Sequence, residues 1–269
     1  MTGLVSLPMY DLPGLRPFWD DWWRLMCRAM ASEGVGGLDD VLSRFPDLMS
    51  HWRNPAMSLS QTCGYPYKLG LEQDWQVVAT PVYAVDWCEG PNYRNLILVR
   101  KEDEAQSLTD LQGRRVAYNS RDSHSGYNSI RWMIAPLAAE GRFFGASIRS
   151  GSHLASIKAL AAGEVDTCSV DCVTYALITK HKVVQTGALR VLAEGPAVPG
   201  LPFVVPRSMP EASVEAFREA LILAVARPEI AALNRSLLVD GFANVPEAAY
   251  EAIALMASEA QEQNYPVLN

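Results

Sequence analysis

Apolar positions along the chain follow two spacings, one typical of strands and one typical of helices. Short apolar or alternating runs predict strands at residues 4–10, 56–62, 77–82, 96–99, 115–118, 143–148, 165–170 and 189–193. Apolar residues three and four positions apart predict helices that begin near residues 17, 38, 125, 153, 173, 208, 230 and 246. The alternation of strand and helix is typical of an α/β fold.

Two changes of composition divide this pattern. A charge-rich stretch follows the strand at residues 96–99, and a Pro/Gly cluster occupies residues 196–202. We interpret both as crossings between two α/β lobes, the first made of residues 1–101 and 203–269 and the second of residues 102–202. Such a two-lobed clamshell is expected to hold a ligand in the cleft at the carboxyl ends of its strands.

A hydroxyl-rich corner stands at residues 122–129, between a predicted strand and a predicted helix. Serine at such a corner is a preferred helix cap because its oxygen accepts an unpaired backbone N–H. The same N–H groups and hydroxyls, at the positive end of a helix, also suit an anion. Gly126 would let a ligand approach the backbone closely. From this stretch alone, a simple cap and an anion site both stay open.

Charge and hydropathy exclude several classes of protein. The 269 residues carry a formal net charge of -7, which disfavours nucleic-acid binding but not the local binding of a small anion. No apolar run reaches the about 18 residues that a membrane span needs, so no direct membrane insertion is expected. The first residues lack a leader pattern. We therefore expect a cytoplasmic protein, or a periplasmic one whose leader precedes Met1.

Cysteine and histidine spacing disfavours metals and disulfides. The five cysteines contain no C-x-x-C pair, and the four histidines contain no H-E-x-x-H motif. We predict neither a disulfide framework nor a metal site nor a cofactor.

Three stretches resemble the phosphate/phosphonate/phosphite-type substrate-binding proteins of ABC importers. Residues 108–117 read L-x-D-L-x-G-x-x-V-A and lead into the Ser-x-Ser-Gly corner. Residues 151–166 are similar to the Gly-Ser-His-x-x-Ser-Ile block of that family, and residues 199–202 to its Pro-Gly-Leu-Pro return hinge. The resemblance implies a type II periplasmic-binding-protein fold that closes on a phosphonate- or phosphite-like oxyanion, with an ABC permease or a sensor as partner.

The resemblance also implies roles for particular residues. The ligand-binding residues that we predict are Ser123, His124, Ser125 and Gly126 at the first corner, His153 at the second, and Tyr10, Gln61, Tyr65 and Asp171 elsewhere. Binders of aminoalkyl phosphonates carry an acid in the return hinge, where this chain has Leu201. This disfavours an aminoalkyl ligand, for which only Asp171 would be a partial substitute.

Simpler interpretations of these residues remain. Asp171 suits a plain helix cap, His153 suits a helix end, and Arg131 suits the surface. Serine, histidine and aspartate are the residue types of a hydrolase triad, but the nucleophile-elbow motif is absent, so no catalytic residue is predicted. The alternative function is a cytoplasmic enzyme on the same fold, like those of menaquinone or thiamine-precursor biosynthesis, acting on a small anionic metabolite.

Overall fold

The computed structural model describes residues 3–269, which form two compact units. The first unit comprises the described residues up to Asn92 together with Pro199–Tyr250, and the second comprises Tyr93–Val198 and Glu251–Asn269. Each unit has its own sheet with helices packed on it.

The strands are β1 Gly3–Ser6, β2 Leu38–Leu42, β3 Met57–Gln61, β4 Trp75–Tyr83, β5 Asn92–Tyr93, β6 Asn95–Arg100, β7 Arg115–Tyr118, β8 Ala146–Arg149, β9 Thr167–Asp171, β10 Leu189–Glu194, β11 Val198–Pro199, β12 Phe203–Pro206 and β13 Val239–Ala243. The α-helices are α1 Arg16–Ser32, α2 Leu48–Trp52, α3 Gly64–Lys68, α4 Ser129–Ile134, α5 His153–Ala161, α6 Cys172–Lys180, α7 Glu211–Val225, α8 Ala231–Leu237 and α9 Glu251–Glu262. Within residues 3–269, no helix combines the length and apolar character needed to cross a bilayer.

The first unit is built on a six-stranded sheet in the order β13-β4-β12-β3-β1-β2. Strands β1, β2 and β3 are parallel, whereas β12 runs antiparallel to both β3 and β4. Helix α1 packs against α7 and α8 and buries three tryptophans, Trp19, Trp22 and Trp23. The carboxyl ends of β1 and β3 therefore share one edge of the sheet, which places the segments after Ser6 and Gln61 there.

The second unit is built on a five-stranded sheet in the order β10-β6-β9-β7-β8. Strands β7, β8 and β9 are parallel, so their carboxyl ends lie at one edge. Helices α5 and α6 begin at that edge, and so does the turn that leads into α4. The positive ends of these three elements converge there, which is the usual location of a small-molecule site in a sheet of this kind.

Sequence spacing misassigned several elements of the first unit. The predicted helix near residue 38 is wrong: Leu38–Leu42 is an edge strand, because its pairing with β1 outweighs a weak helical spacing. The helix predicted to begin near residue 208 starts slightly later, since α7 begins at Glu211 with Pro210 in the cap position and no side-chain cap. The spacing also did not predict two strands after residue 202, β12 and β13.

The division into units differs from the predicted lobes of residues 1–101 with 203–269 and residues 102–202. The chain passes between units at β5 and β11, so β6 belongs to the second unit. It passes a third time after Tyr250, which places α9 in the second unit as well. Ala260, Tyr265 and Leu268 lie in the buried core of that unit, and this burial explains why the C-terminal segment packs there.

Candidate functional site

The corner after β7 folds as a capped, widened helical turn. Ser123 occupies the cap position, and its Oγ accepts a hydrogen bond from Gly126 N at 3.1 Å. His124–Asn128 then forms one turn of π-helix, which continues into α4. The helix predicted to begin near residue 125 is therefore divided into this turn, α4 and a final 3-10 turn at Ala135–Leu137, where Pro136 cannot continue the α-helical hydrogen bonds. The cap interpretation of Ser123 is confirmed.

A second corner lies directly against the first. Helix α5 begins at His153, and Ser125 Oγ is 3.1 Å from His153 Nε2. The loop before α5 is fixed to the end of β7, since Ser150 N donates to Tyr118 O and Gly151 N donates to Asn119 O. The structure thus brings together two corners that are 28 residues apart in sequence.

The side chains of Asn119 and His153 both lie close to Gly126. A Cβ atom on Gly126 would lie 1.8 Å from Asn119 Oδ1 and 3.2 Å from His153 Cε1. Both neighbours carry a buried polar atom, Asn119 Oδ1 and His153 Nδ1, with no hydrogen-bond partner among the described residues. Unpaired buried polar atoms cost free energy and are rare in native proteins, so two of them around one glycine indicate a functional site.

A series of buried hydrogen bonds, called the polar relay below, connects the turn to strands β9 and β6 of the sheet. Ser169 Oγ on β9 donates to Ser125 O at 2.5 Å, and Asn95 Nδ2 on β6 donates to Ser169 Oγ at 3.0 Å. Ser129 Oγ closes the relay by donating to Asn95 Oδ1 at 2.6 Å. Sequence reasoning missed Asn95, Asn119 and Ser169. The available signal was an amide or hydroxyl residue within or beside an otherwise apolar strand.

His124 lies behind the turn. Its side chain is 1% exposed, its ring centroid is 6.3 Å from that of Tyr93, and its Nδ1 is 3.3 Å from Asn128 Nδ2. Asn128 Nδ2 also donates to Ile253 O of α9. The imidazole therefore faces the interior of the second unit, while the backbone N–H of His124 belongs to the first turn.

Arg131 does not have the surface position that we predicted. It is 2% exposed and donates to Pro266 O, Ala257 O and Asn128 Oδ1. The guanidinium thus connects α4 to α9 and the C-terminal segment. A buried cation requires several oriented acceptors, and these carbonyls come from a segment more than 120 residues away.

Asp171 and the predicted residues of the first unit have clear local roles. Asp171 Oδ1 accepts a hydrogen bond from Thr174 N at 2.8 Å, so Asp171 caps α6. Tyr10 is buried with its ring 5.1 Å from that of Tyr83, Gln61 Nε2 donates to Leu201 O, and Tyr65 is buried on α3. Ligand contacts of these four residues stay a prediction. Of the residues that we predicted, the structure assembles Ser123, Ser125, Gly126 and His153 around one point.

Burial controls the protonation of the histidines. Desolvation lowers the pKa of His153 to about 4, against an opposing effect of the Ser169 backbone, and it lowers the pKa of His124 to about 3. Burial likewise lowers the pKa of His51 to about 4. All three rings are therefore neutral at pH 7, and His153 can donate from one nitrogen and accept at the other.

These pKa values predict a loss of stability in mild acid. Below about pH 6.5 the unfolded chain protonates each ring, whereas the folded protein resists until about pH 4. The unfolded state therefore binds more protons, and the free energy of unfolding should fall as the pH decreases from about 6.5 to about 4. Each ring contributes up to about 1.4 kcal/mol per pH unit. Urea unfolding of the ligand-free protein at several pH values measures this slope.

A variant tests whether the histidines cause this dependence of the free energy of unfolding on pH. His51→Gln should lower the slope by one proton, while acidic residues such as Asp166 act at lower pH, since Arg115 lowers the pKa of Asp166 to about 2. A free energy of unfolding that stays constant between pH 6.5 and pH 4 would contradict the neutral, buried state of the rings.

Comparison with known proteins gives the family. A model of the periplasmic substrate-binding protein of phosphonate ABC transporters matches residues 41–250. No curated protein matches the chain. Among the described residues, no group of three histidine, cysteine or acidic side chains could hold a metal ion.

Solved structures give the fold. PhnD1 from Prochlorococcus marinus in complex with methylphosphonate has a TM-score of 0.74 at 15% identity, covering 97% of this chain and 98% of that one. A binding-protein component of an ABC phosphonate transporter from Pseudomonas aeruginosa has a TM-score of 0.79 at 15% identity, covering 97% and 88%. A protein from Xanthomonas citri bound to ATP has a TM-score of 0.70 at 17% identity, covering 98% of each chain.

The family match spans more than half of the chain. It agrees with the structure, in which two corners lie against each other at the carboxyl ends of parallel strands and pack closely on Gly126. The chain therefore belongs to the periplasmic substrate-binding proteins of phosphonate ABC transporters and is a solute-binding protein with the type II periplasmic-binding-protein fold.

Proposed function

We propose that this protein captures a small phosphorus oxyanion, such as an alkyl phosphonate or phosphite, at the paired corners of its second unit. The observation that carries the proposal is the placement of Ser125 Oγ 3.1 Å from His153 Nε2, beside a glycine on which Asn119 and His153 both pack closely. PhnD1, which shares the fold, is in complex with methylphosphonate. We also infer delivery of the ligand to an ABC permease in the periplasm.

The binding groups act as hydrogen-bond donors to the anion. Unpaired backbone N–H groups of the first turn can donate to some of its oxygens, and the Ser125–His153 pair can donate to another. Neutral His153 has one N–H and Ser125 has one O–H, and their mutual hydrogen bond uses one of the two, so the pair supplies a single further donor. Hydrogen bonds to a charged acceptor are shorter and about twice as strong as neutral ones. The site therefore binds an anion without an arginine, in a chain whose formal net charge is -7.

We expect the substituent on phosphorus to be uncharged, as an alkyl group, hydrogen or hydroxyl is, and not an aminoalkyl chain. In the return hinge, Leu201 is buried, and its carbonyl accepts a hydrogen bond from Gln61 Nε2. No carboxylate stands at this position to pair with an ammonium group. We therefore expect 2-aminoethylphosphonate to bind more weakly than methylphosphonate.

A thermal-shift panel tests the proposal. Methylphosphonate, phosphite and phosphate should raise the melting temperature, because a ligand at 100 times its Kd stabilises the folded state by about 2.7 kcal/mol. Carboxylates should have little effect. Mass spectrometry should recover the ligand unchanged after incubation, which distinguishes binding from the alternative enzyme. No shift with any phosphorus oxyanion would overturn the proposal.

A double variant locates the site. Ser125→Ala combined with His153→Ala should strongly reduce the shift while the protein stays folded, since the charge-assisted hydrogen bond that this pair supplies contributes about 1.5–3 kcal/mol, which is about tenfold or more in affinity. The matched control is Ser258→Ala with His181→Ala, in the same unit. Retained binding in the first variant would place the ligand elsewhere.

A further inference from the structure

Hydrogen-bond chemistry fixes the direction of the polar relay and the orientation of the Asn95 carboxamide. A carbonyl oxygen only accepts, so the hydroxyl of Ser169 must donate its one proton to Ser125 O, 2.5 Å away. Ser169 Oγ must then accept from Asn95, which places Asn95 Nδ2 at 3.0 Å from it. Asn95 Oδ1 is left to accept from Ser129 Oγ at 2.6 Å. The relay therefore runs from Asn95 through Ser169 to the carbonyl of Ser125.

The relay is buried and closely packed. Asn95, Ser129 and Ser169 are each at most 2% exposed. A Cβ on Gly195 would lie 1.7 Å from Asn95 Oδ1 and 3.0 Å from Ser129 Oγ, so this position accommodates the two groups only as glycine. Because water cannot replace a lost donor in such a place, each member of the relay needs its neighbour.

The carbonyl at the end of the relay is the one that a regular α-helix would use internally. In an α-helix, Ser129 N would donate to Ser125 O, four residues earlier. Here Ser129 N donates to His124 O, five residues earlier, and Asn128 N donates to Ser123 O at 3.0 Å. The π-helical turn thus makes Ser125 O available to the hydroxyl of Ser169, and such turns are frequent at functional sites.

The Ser125–Gly126 peptide group is held at both ends. Its oxygen accepts from Ser169 Oγ, and its N–H donates to Ser123 Oγ at 3.1 Å. The same residue, Ser125, carries the hydroxyl that lies 3.1 Å from His153 Nε2. The two hydrogen bonds therefore fix the backbone from which this hydroxyl projects.

We propose that Ser169 and Asn95 are positioning residues, which hold the turn at His124–Asn128 in its π-helical form and thereby place the Ser125 hydroxyl for the anion. Without the Ser169 donor, Ser125 O would take Ser129 N as its partner, and the turn would tighten into an α-helix. The Ser125 side chain would then move relative to the second corner. This inference rests on the proposed function, since it assigns the form of the turn to anion binding.

Two variants that each remove one buried hydroxyl from β9 test the proposal. Ser169→Ala loses the donor to Ser125 O, and the control Thr167→Val loses the donor to Leu98 O, at 2.9 Å. Both should melt a few degrees below wild-type protein, because each loses one buried hydrogen bond. Only Ser169→Ala should also bind methylphosphonate less tightly in calorimetric titration, by about tenfold or more, since displacements of about 1 Å reduce function strongly.

Two further measurements separate positioning from a general loss of stability. Gly195→Ala keeps every group of the relay but displaces the Asn95 carboxamide, so affinity should fall by a similar factor. A crystal structure of ligand-free Ser169→Ala should show Ser129 N hydrogen-bonded to Ser125 O.

Three results would overturn the inference: wild-type affinity in Ser169→Ala, an equal loss of affinity in Thr167→Val, or a retained π-helical turn in the crystal structure of Ser169→Ala. Absence of methylphosphonate binding to wild-type protein would instead overturn the proposed function. In that case the crystal structure alone would still decide whether Ser169 sets the form of the turn.

Discussion

Gly126→Ala is expected to abolish phosphonate binding, with a loss of about a hundredfold or more in affinity. The added methyl group would lie 1.8 Å from Asn119 Oδ1 and 3.2 Å from His153 Cε1, so both side chains must move. The turn would then no longer hold Ser125 and His153 at hydrogen-bonding distance, and displacements of about 1 Å in a binding site reduce function strongly. Calorimetric titration with methylphosphonate measures the effect.

Stability should fall less than affinity in this variant. Overpacking of a filled site costs about 1–3 kcal/mol, and the better helix propensity of alanine offsets about 1 kcal/mol of that. Gly187→Ala is the matched control in the same unit, because a Cβ at Gly187 meets no atom within 4 Å. Normal affinity in Gly126→Ala would show that the ligand does not depend on this corner.

Arg131→Met is expected to lower the free energy of unfolding by about 3 kcal/mol. The guanidinium donates to Pro266 O at 2.8 Å, to Ala257 O at 3.1 Å and to Asn128 Oδ1 at 3.1 Å. Removal of the donors leaves these acceptors unpaired, and the cost is about 1–3 kcal/mol for a buried group such as Asn128 Oδ1 that water cannot reach. Methionine preserves much of the volume, so the loss reports the hydrogen bonds more than a cavity. Urea unfolding followed by circular dichroism measures it.

The control for Arg131 is an arginine without such contacts. Arg142 is exposed, and Arg142→Met should change the free energy of unfolding by less than about 0.5 kcal/mol. The opposite result for Arg131 is also informative. If Arg131→Met were as stable as the wild type, the cost of burying the cation would equal the gain from its three hydrogen bonds.

The turn at His124–Asn128 is connected to α9, and the predictions for Gly126 and Arg131 both depend on this connection. Asn128 lies one residue before α4, accepts from Arg131 and donates to Ile253 O. His124, on the same turn, is 3.3 Å from Asn128 Nδ2. The turn that carries Ser125 is thus held on one side by the relay through Ser169 and on the other by α9. A rigid turn binds an anion well because its donors need no reorganisation.

Local sequence determined the two corners and the strands that lead to them. An apolar run followed by Ser-x-Ser-Gly or Gly-Ser-His predicts a strand, a cap and a helix start, because these depend on neighbouring residues only. Ser123 as a cap, His153 at the start of α5 and Asp171 at the start of α6 follow from such local rules. The family motifs added the solute-binding role, which the comparisons confirm.

Long-range contacts decided what local patterns left open. Pairing with β1 made residues 38–42 a strand, and burial of α9 placed the C-terminal segment in the second unit. The approach of Asn119 to Gly126 and the burial of Arg131 depend on the three-dimensional arrangement of segments far apart in sequence. The sequence by itself therefore determined which residues could cap, turn and donate hydrogen bonds. Only the tertiary structure decided which of them meet, because packing and hydrogen bonding between distant segments set those distances.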